Sequence, residues 1–260
     1  MTDFFRSVWV IAYREFLHFV QDRPRMFSSF SMPILFLIIF GAGFGRLIGQ
    51  MMPGVGYIQF MYPGILAMTV LMTSIMSGVS IVWDREFGFL KEVLVSPLNR
   101  SGVLVGKALG AAIIAILQGV IMLVLAPFLD VPLNIGTVLA LLPLLLILSI
   151  SLSGLGLLLG ARMGSQQGFQ IMMQLVIFPM MFLSGIFFPI SGVATWLEVL
   201  SKLNPVTYGI DAIRQVFLGT EIAGVTVFGH TMSILESALV VAAFGVVMLV
   251  AAIWVFNRQD

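Results

Sequence analysis

The sequence contains no cysteine, only two histidines, and charged side chains at just 10% of its 260 positions. Without cysteine there is no disulfide, no thiolate nucleophile and no thiolate metal site. His18 and His230 stand far apart in the chain, which argues against a histidine metal site. A net charge of +1, with no basic stripe, excludes nucleic acid as a partner. There is also no Gly-x-x-x-x-Gly-Lys-Ser/Thr phosphate loop. The nearest approach, Gly102 and Gly106 before Lys107, runs on into Ala108. The chain is therefore expected to hold no cofactor, to bind no ATP in that manner and to catalyse no covalent chemistry. The segment from Thr2 to Asp22 carries charges throughout, so it does not read as a cleaved signal peptide.

What the sequence has instead is apolar surface. Hydrophobic residues make up 60% of the chain, and a soluble domain would carry roughly 25% charged residues. The polar residues cluster and leave apolar runs of about 20 residues, the length that crosses roughly 30 Å of hydrocarbon as a helix. The pattern predicts an all-α integral membrane protein, a single transmembrane domain over 1–260 with six spans at 27–47, 60–83, 103–129, 138–161, 169–188 and 235–256. Before them, Phe5, Trp9, Ala12, Tyr13, Phe16, Leu17 and Val20 recur at spacings of three and four, predicting an amphipathic surface helix over 4–22. The alternative is an ordinary helix covering another part of the protein. Ten of the lysines and arginines fall on one side of this topology, against Arg46, Lys202 and Arg214 opposite. The richer side is expected to be cytoplasmic, with both termini on it.

No acidic or basic residue falls near the middle of a predicted span. Lys107 and Glu236 stand near span ends, where long side chains reach the interface. A carrier driven by protons or ions needs buried ionisable groups, so the energy for any transport is expected to come from elsewhere. Ser153 and Ser184 have no histidine within their spans, so they read as helix-packing residues, not nucleophiles. Gly41 and Gly45, and Gly156, Gly160 and Gly164, repeat every four residues, as at a dimer seam or at close packing within one chain. Pro179 is expected to kink the fifth span. Met172, Met173, Met180 and Met181, with Phe178, either line a path for apolar ligands or face lipid.

Two loops are long: a cytoplasmic one over 84–102 and an external one over 189–233. In the first, Phe87, Leu90 and Leu94 share a helical face while Glu86, Lys91 and Glu92 keep it soluble, and Pro97 ends the helix. An apolar stripe facing water on a short helix invites a partner protein, or rests on the membrane surface. The second loop mixes turn formers with apolar patches, and short re-entrant helices are expected there.

The core Arg85-Glu86-Phe87-Gly88-Phe89-Leu90-Lys91-Glu92, closed by Ser96-Pro97-Leu98-Asn99-Arg100, closely resembles the cytoplasmic loop of ABC-2 type transporter membrane subunits. A second match runs from Leu183 to Pro189, through Trp196-Leu197, to Leu203-Asn204-Pro205 and on to Arg214. The resemblance covers nearly the whole chain and is most similar to the daunorubicin-resistance branch, with the polysaccharide branch as the alternative. It implies pairing with a second membrane subunit, often a copy of itself, and with two cytoplasmic ATP-binding subunits that hold ATP and Mg. By the same resemblance, 85–95 would be the coupling helix, with Arg85, Glu86, Phe87, Gly88, Leu90, Lys91, Glu92 and Leu94 contributing. Asn204, Pro205, Tyr208, Asp211 and Arg214 would belong to an external lid. The implied function is export of a hydrophobic or amphipathic substrate across the cell membrane. The rival readings are a membrane scaffold or receptor that holds a cytoplasmic partner, and a self-sufficient channel or carrier.

Overall fold

The computed structural model describes residues 2–51, 56–87, 99–190, 193–219, 224–227 and 229–258, with side chains described except at 2, 25 and 44–51. The chain is almost wholly helical: α1 (Thr2–Gln21), α2 (Arg23–Met51), α3 (Tyr57–Met76), α4 (Val79–Glu86), α5 (Arg100–Leu125), α6 (Ile135–Arg162), α7 (Gln166–Phe182), α8 (Thr195–Leu203), α9 (Pro205–Leu218) and α10 (Ile234–Asn257). A 3₁₀ turn, Ala126–Leu129, extends α5. A minimal antiparallel hairpin, β1 (Thr226–Val227) with β2 (His230–Thr231), precedes α10 and is the one departure from an all-α reading among the described residues.

Helix starts follow from side chains that satisfy the otherwise unpaired first N–H groups. Asn99, Asn134, Ser165, Asn204 and Ser233 each accept a backbone N–H two or three residues on, at 2.7–3.3 Å. Ser233 and Glu236 form a reciprocal capping box at the start of α10.

Among the described residues, five stretches are long and apolar enough to cross a membrane: Met26–Gly43, Tyr57–Glu86, Arg100–Leu129, Ile135–Arg162 and Ile234–Asn257. The expected span at 169–188 is shorter as a helix. Here α7 ends at Phe182, and the chain turns away through Gly185, whose φ of 77° suits glycine. The span expected at 60–83 is interrupted by a turn at Ser77–Gly78 that separates α3 from α4.

Helix α6 is the axis of the bundle, with α3, α5 and α10 packed around it and α9 set among α3, α6 and α10. The core holds Tyr62, Leu66, Leu71, Met122, Leu141, Leu145 and Phe169, all fully buried. Hydroxyl groups cross-link the helices. Tyr62 donates to the carbonyl of Met122, Ser74 and Ser149 share a hydrogen bond of 2.7 Å, and Ser151 donates to the carbonyl of Val241 at 2.8 Å. Such bonds average about 0.6 kcal/mol each in a membrane protein.

Close packing supplies the rest. Gly156 lies against the backbone of Ile75 and Gly160 against that of Gly78; a Cβ on Gly78 or Gly156 would overlap a carbonyl oxygen of the facing segment. The four-residue spacing of Gly156 and Gly160 thus serves contact within the chain, and Gly41 faces Ile58 of the same chain. Gly164 faces open space.

This difference is testable by measuring monodispersity and thermal unfolding in detergent. Gly156→Val should cost about 3 kcal/mol or more, because carbonyl backbone cannot yield as a side chain does. Gly164→Val should leave both measurements within error.

Candidate coupling site and transport path

Helix α4 leads into the segment expected to couple to a partner, and its last residues are tied inward. Arg85 Nη1 donates to the carbonyl of Met163 at 2.7 Å and Nη2 to that of Ala161 at 3.0 Å. These lie at the C-terminal end of α6, where carbonyls lack intrahelical partners and a cation is favoured. Glu86 Oε1 accepts the backbone N–H of Gln166 at 2.8 Å, placing a carboxylate at the N-terminus of α7. One arginine and one glutamate therefore hold both ends of the α6–α7 turn. Phe87 is 81% exposed. Gly88, Leu90, Lys91, Glu92 and Leu94 lie outside the described residues.

A second attachment joins α1, α4 and α5. Lys107 is expected from its sequence position to reach out to the interface, yet it is 2% exposed. Its Nζ lies 2.7 Å from Asp84 Oδ2, 3.2 Å from Glu15 Oε1 and 2.7 Å from Ser80 Oγ. Arg14 completes the cluster, 3.2 Å from Glu15 and 3.5 Å from Asp84. Two carboxylates thus match two cations. Burial alone would raise the Glu15 carboxyl, but the Lys107 ammonium and the Arg14 guanidinium outweigh it and hold the group below its ordinary 4.5.

The cluster forms because α1 lies alongside α5. Gly102, Gly106 and Gly110 clear a groove into which Ser7, Ile11 and Ala12 settle. The packed face of α1 is therefore Ser7, Ile11, Ala12 and Phe19, while Phe5, Trp9, Tyr13 and Val20 of its apolar stripe point outward, with Trp9 stacked on Tyr13 at 6.4 Å.

Helix α7 packs through a single stripe, Phe169, Met173, Ile177 and Met181, all buried. Of the expected path residues, Met173 and Met181 are thus core, Met172 and Met180 are half-buried, and Phe178 is exposed. The outward face of α7 also carries Gln170 and Gln174, both exposed, together with Leu175 and Phe182. Gln174 lies about 12 Å along the helix, and every residue after it to Phe182 is apolar.

The residues expected in an external lid are packed into the bundle. Asn204 donates to the carbonyl of Met180 at 2.6 Å, and Pro205 occupies the first turn of α9. Tyr208 donates to the carbonyl of Lys202 at 2.7 Å. Asp211 accepts from Gln215 at 2.7 Å, Ser237 at 3.0 Å and the backbone N–H of Val225 at 3.0 Å. Arg214 donates to the carbonyl of Gly185 at 2.7 Å and lies 4.1 Å over the Phe60 ring. The exposed member of the pair is α8, which turns Trp196, Val199, Leu200 and Leu203 outward.

These features define a helical membrane protein in which the last turn of α4 is anchored to the neighbouring helices. The ABC-2 type transporter family matches residues 6–218, and the chain belongs to that family. It is a membrane subunit of an ABC transporter, a class that works with ATP-binding subunits. The transport permease ycf38 of Cyanophora paradoxa is 30% identical over 224 residues, 84% of this chain and 77% of that one. The probable multidrug ABC transporter permease YbhR of Escherichia coli (strain K12) is 31% identical over 168 residues, 64% of this chain and 45% of that one. The inner membrane transport permease YadH of the same strain is 28% identical over 197 residues, 75% and 76% of the two chains.

Lys107→Met should lower stability by about 1–3 kcal/mol at neutral pH, because it leaves two half-buried carboxylates sharing one cation, Arg14. Thermal unfolding in detergent across pH checks the origin of that loss. In the wild type, the Glu15 carboxyl is depressed on folding, so its contribution is complete above 4.5 and is lost as pH falls through the folded value. In Lys107→Met the Glu15 carboxyl loses a depressing cation and protonates more readily, so the deficit should shrink as pH approaches 4.5.

Proposed function

We propose that the chain is the membrane subunit of an ATP-driven exporter in which two copies pair and two cytoplasmic ATP-binding subunits supply the energy. The substrate would be hydrophobic or amphipathic, a reading supported by the relative named as a multidrug permease. The complex would sit in the cell membrane with both chain ends in the cytoplasm. The observation that carries the reading is the outward face of α7. Gln170 and Gln174 lie exposed on a helix whose apolar face is already used for packing. Amides facing hydrocarbon are unfavourable, and polar side chains at membrane depth turn toward other protein or a water-filled path. A second copy facing this surface would enclose a path lined by Gln170, Gln174 and Phe178, not by the buried methionines.

In this reading the 84–102 loop docks on the ATPase, and its movement reaches the path directly. Glu86 holds the N-terminus of α7, and Arg85 holds the end of α6. Closure of the ATP-binding subunits would swing α7 as part of a rigid-body switch of packed helices. On the opposite side, α8 and α9 would close the exit, with α9 as the fixed part and α8 as the part that meets the lipid.

The test begins with co-expression alongside an ATP-binding subunit and a mass measurement of the purified assembly. A two-plus-two complex that accumulates daunorubicin in inverted vesicles with ATP supports the exporter, and a chain that recruits no ATPase overturns it. Because the chain has no cysteine, Gln174→Cys introduces a single thiol. Oxidation should cross-link two copies through it. A two-plus-two complex that gives no cross-link would remove α7 from the shared interface. Gln174→Leu should lower vesicle uptake about tenfold or more with the assembly intact, the scale of one mispaired polar group, while Met173→Leu should leave uptake unchanged.

A further inference from the structure

Apart from the α7 face, the bundle holds a cavity of about 210 Å³ between α1, α2, α3 and α5, lined by Phe19, Met72, Met76 and Ile114 on its apolar side. Its polar side is made by Thr73, Ser77 and Gln118, and Glu15 and Lys107 close one end. A separate cavity of about 290 Å³ lies on the other side of Met76 and Ser77, lined by Arg14, His18, Ser80 and Asp84. No residue of α7 lines either one.

We infer that this cavity binds the uncharged polar end of a membrane amphiphile, a hydroxyl- or amide-bearing headgroup on an apolar chain, drawn from the leaflet beside α1. Size, charge and hydrogen bonding converge on that chemistry. The volume is below the roughly 300–1,000 Å³ that encloses a whole drug-sized ligand, so the site takes one end of a molecule. Charge is already matched at its closed end. Lys107 spends its three donors on Asp84, Glu15 and Ser80, and Arg14 contacts both carboxylates. An ionic headgroup would lose its hydration and find no counter-charge to replace it.

Neutral hydrogen-bonding capacity does remain. Gln118, fully buried, donates through Nε2 to Ser29 Oγ at 2.8 Å and accepts the Thr73 hydroxyl at Oε1. An amide has two N–H donors and two acceptor lone pairs on its oxygen, so half of its capacity is unused by the described residues. The Ser77 Oγ is buried with no hydrogen-bond partner among the described residues. A hydroxyl or amide can both donate and accept between these two groups, and the apolar side accommodates the first carbons of its chain. The route in follows from packing: α1 lies on α5 and α2 on α3, and the lining residue Ser28 is exposed beside the exposed Phe27.

The test uses purified protein in lipid nanodiscs and three photoreactive probes that share one diazirine-bearing acyl chain. One carries glycerol as its headgroup, one a phosphate and one a trimethylammonium. After irradiation, labelled peptides are mapped by mass spectrometry, with the outward face of α10 at Val246, Val250 and Trp254 as the lipid-exposed reference. The glycerol probe should label peptides carrying Phe19, Met72, Met76 or Ile114 more strongly than either charged probe. Thr73→Val with Gln118→Leu should reduce that labelling about fivefold, the effect of losing one hydrogen bond, and leave the α10 labelling unchanged. Should the double variant fail to fold, unlabelled monoacylglycerol should displace the glycerol probe from the wild type while a lysophosphatidate of the same chain does not. Equal labelling by all three probes would overturn the proposal and make the cavity an ordinary lipid-facing gap. Labelling indifferent to the substitutions in folded protein, or equal displacement by both competitors, would overturn it as well.

Discussion

Hydrocarbon does not drive apolar helices together, because lipid tails satisfy a leucine as well as another leucine does. The bundle depends on how closely its backbones can approach. At Gly78 and Gly156 the approach leaves no room for a Cβ, and the α3–α4 break falls at that point. Contacts of this kind replace the hydrophobic effect with dispersion between surfaces that fit. Hydroxyls at Tyr62, Ser74 and Ser151 then fix rotation and register where size alone would let the helices slide. The second glycine groove, Gly102, Gly106 and Gly110, does the same for α1 and so brings Glu15 within reach of Lys107.

Much of this was legible from the chain itself. Apolar run length marked the long helices, the loop around Glu86 carried the family pattern, and the Gly156–Gly160 spacing pointed to a close contact. What could not be read was which face of each helix turns inward. The α1 apolar stripe recurs at helical spacing, yet of its members Ala12 alone is buried, and Ser7 and Ile11 beside it fill the glycine groove of α5. In α7, the four methionines are alike in composition, and tertiary packing alone separates the core pair Met173 and Met181 from the others. A signal was present there: Gln170 and Gln174, one helical turn apart in an apolar stretch, mark the face that cannot be left to lipid. The Lys107 cluster was hidden for another reason. Its members come from three elements, α1, α4 and α5, and no local pattern brings them together.

The two polar attachments divide the labour at the α4 end of the bundle. Arg85 and Glu86 act on the ends of neighbouring helices through backbone groups, so they tolerate side-chain variation in α6 and α7. The Lys107 cluster acts side chain to side chain and is specific to its four members. Asp84, Arg85 and Glu86 are consecutive, so the same turn of α4 serves α1 and α5 on one side and α6 and α7 on the other. A displacement of that turn cannot be absorbed by one neighbour alone.

Charge matching in the cluster also bears on how the membrane potential acts on this protein. Each elementary charge moved across the full potential is worth about 2.3 kcal/mol per 100 mV. Glu15, Asp84, Lys107 and Arg14 sum to zero, so the four can move together through the field with almost no electrical work. A displacement of that group is therefore nearly blind to voltage.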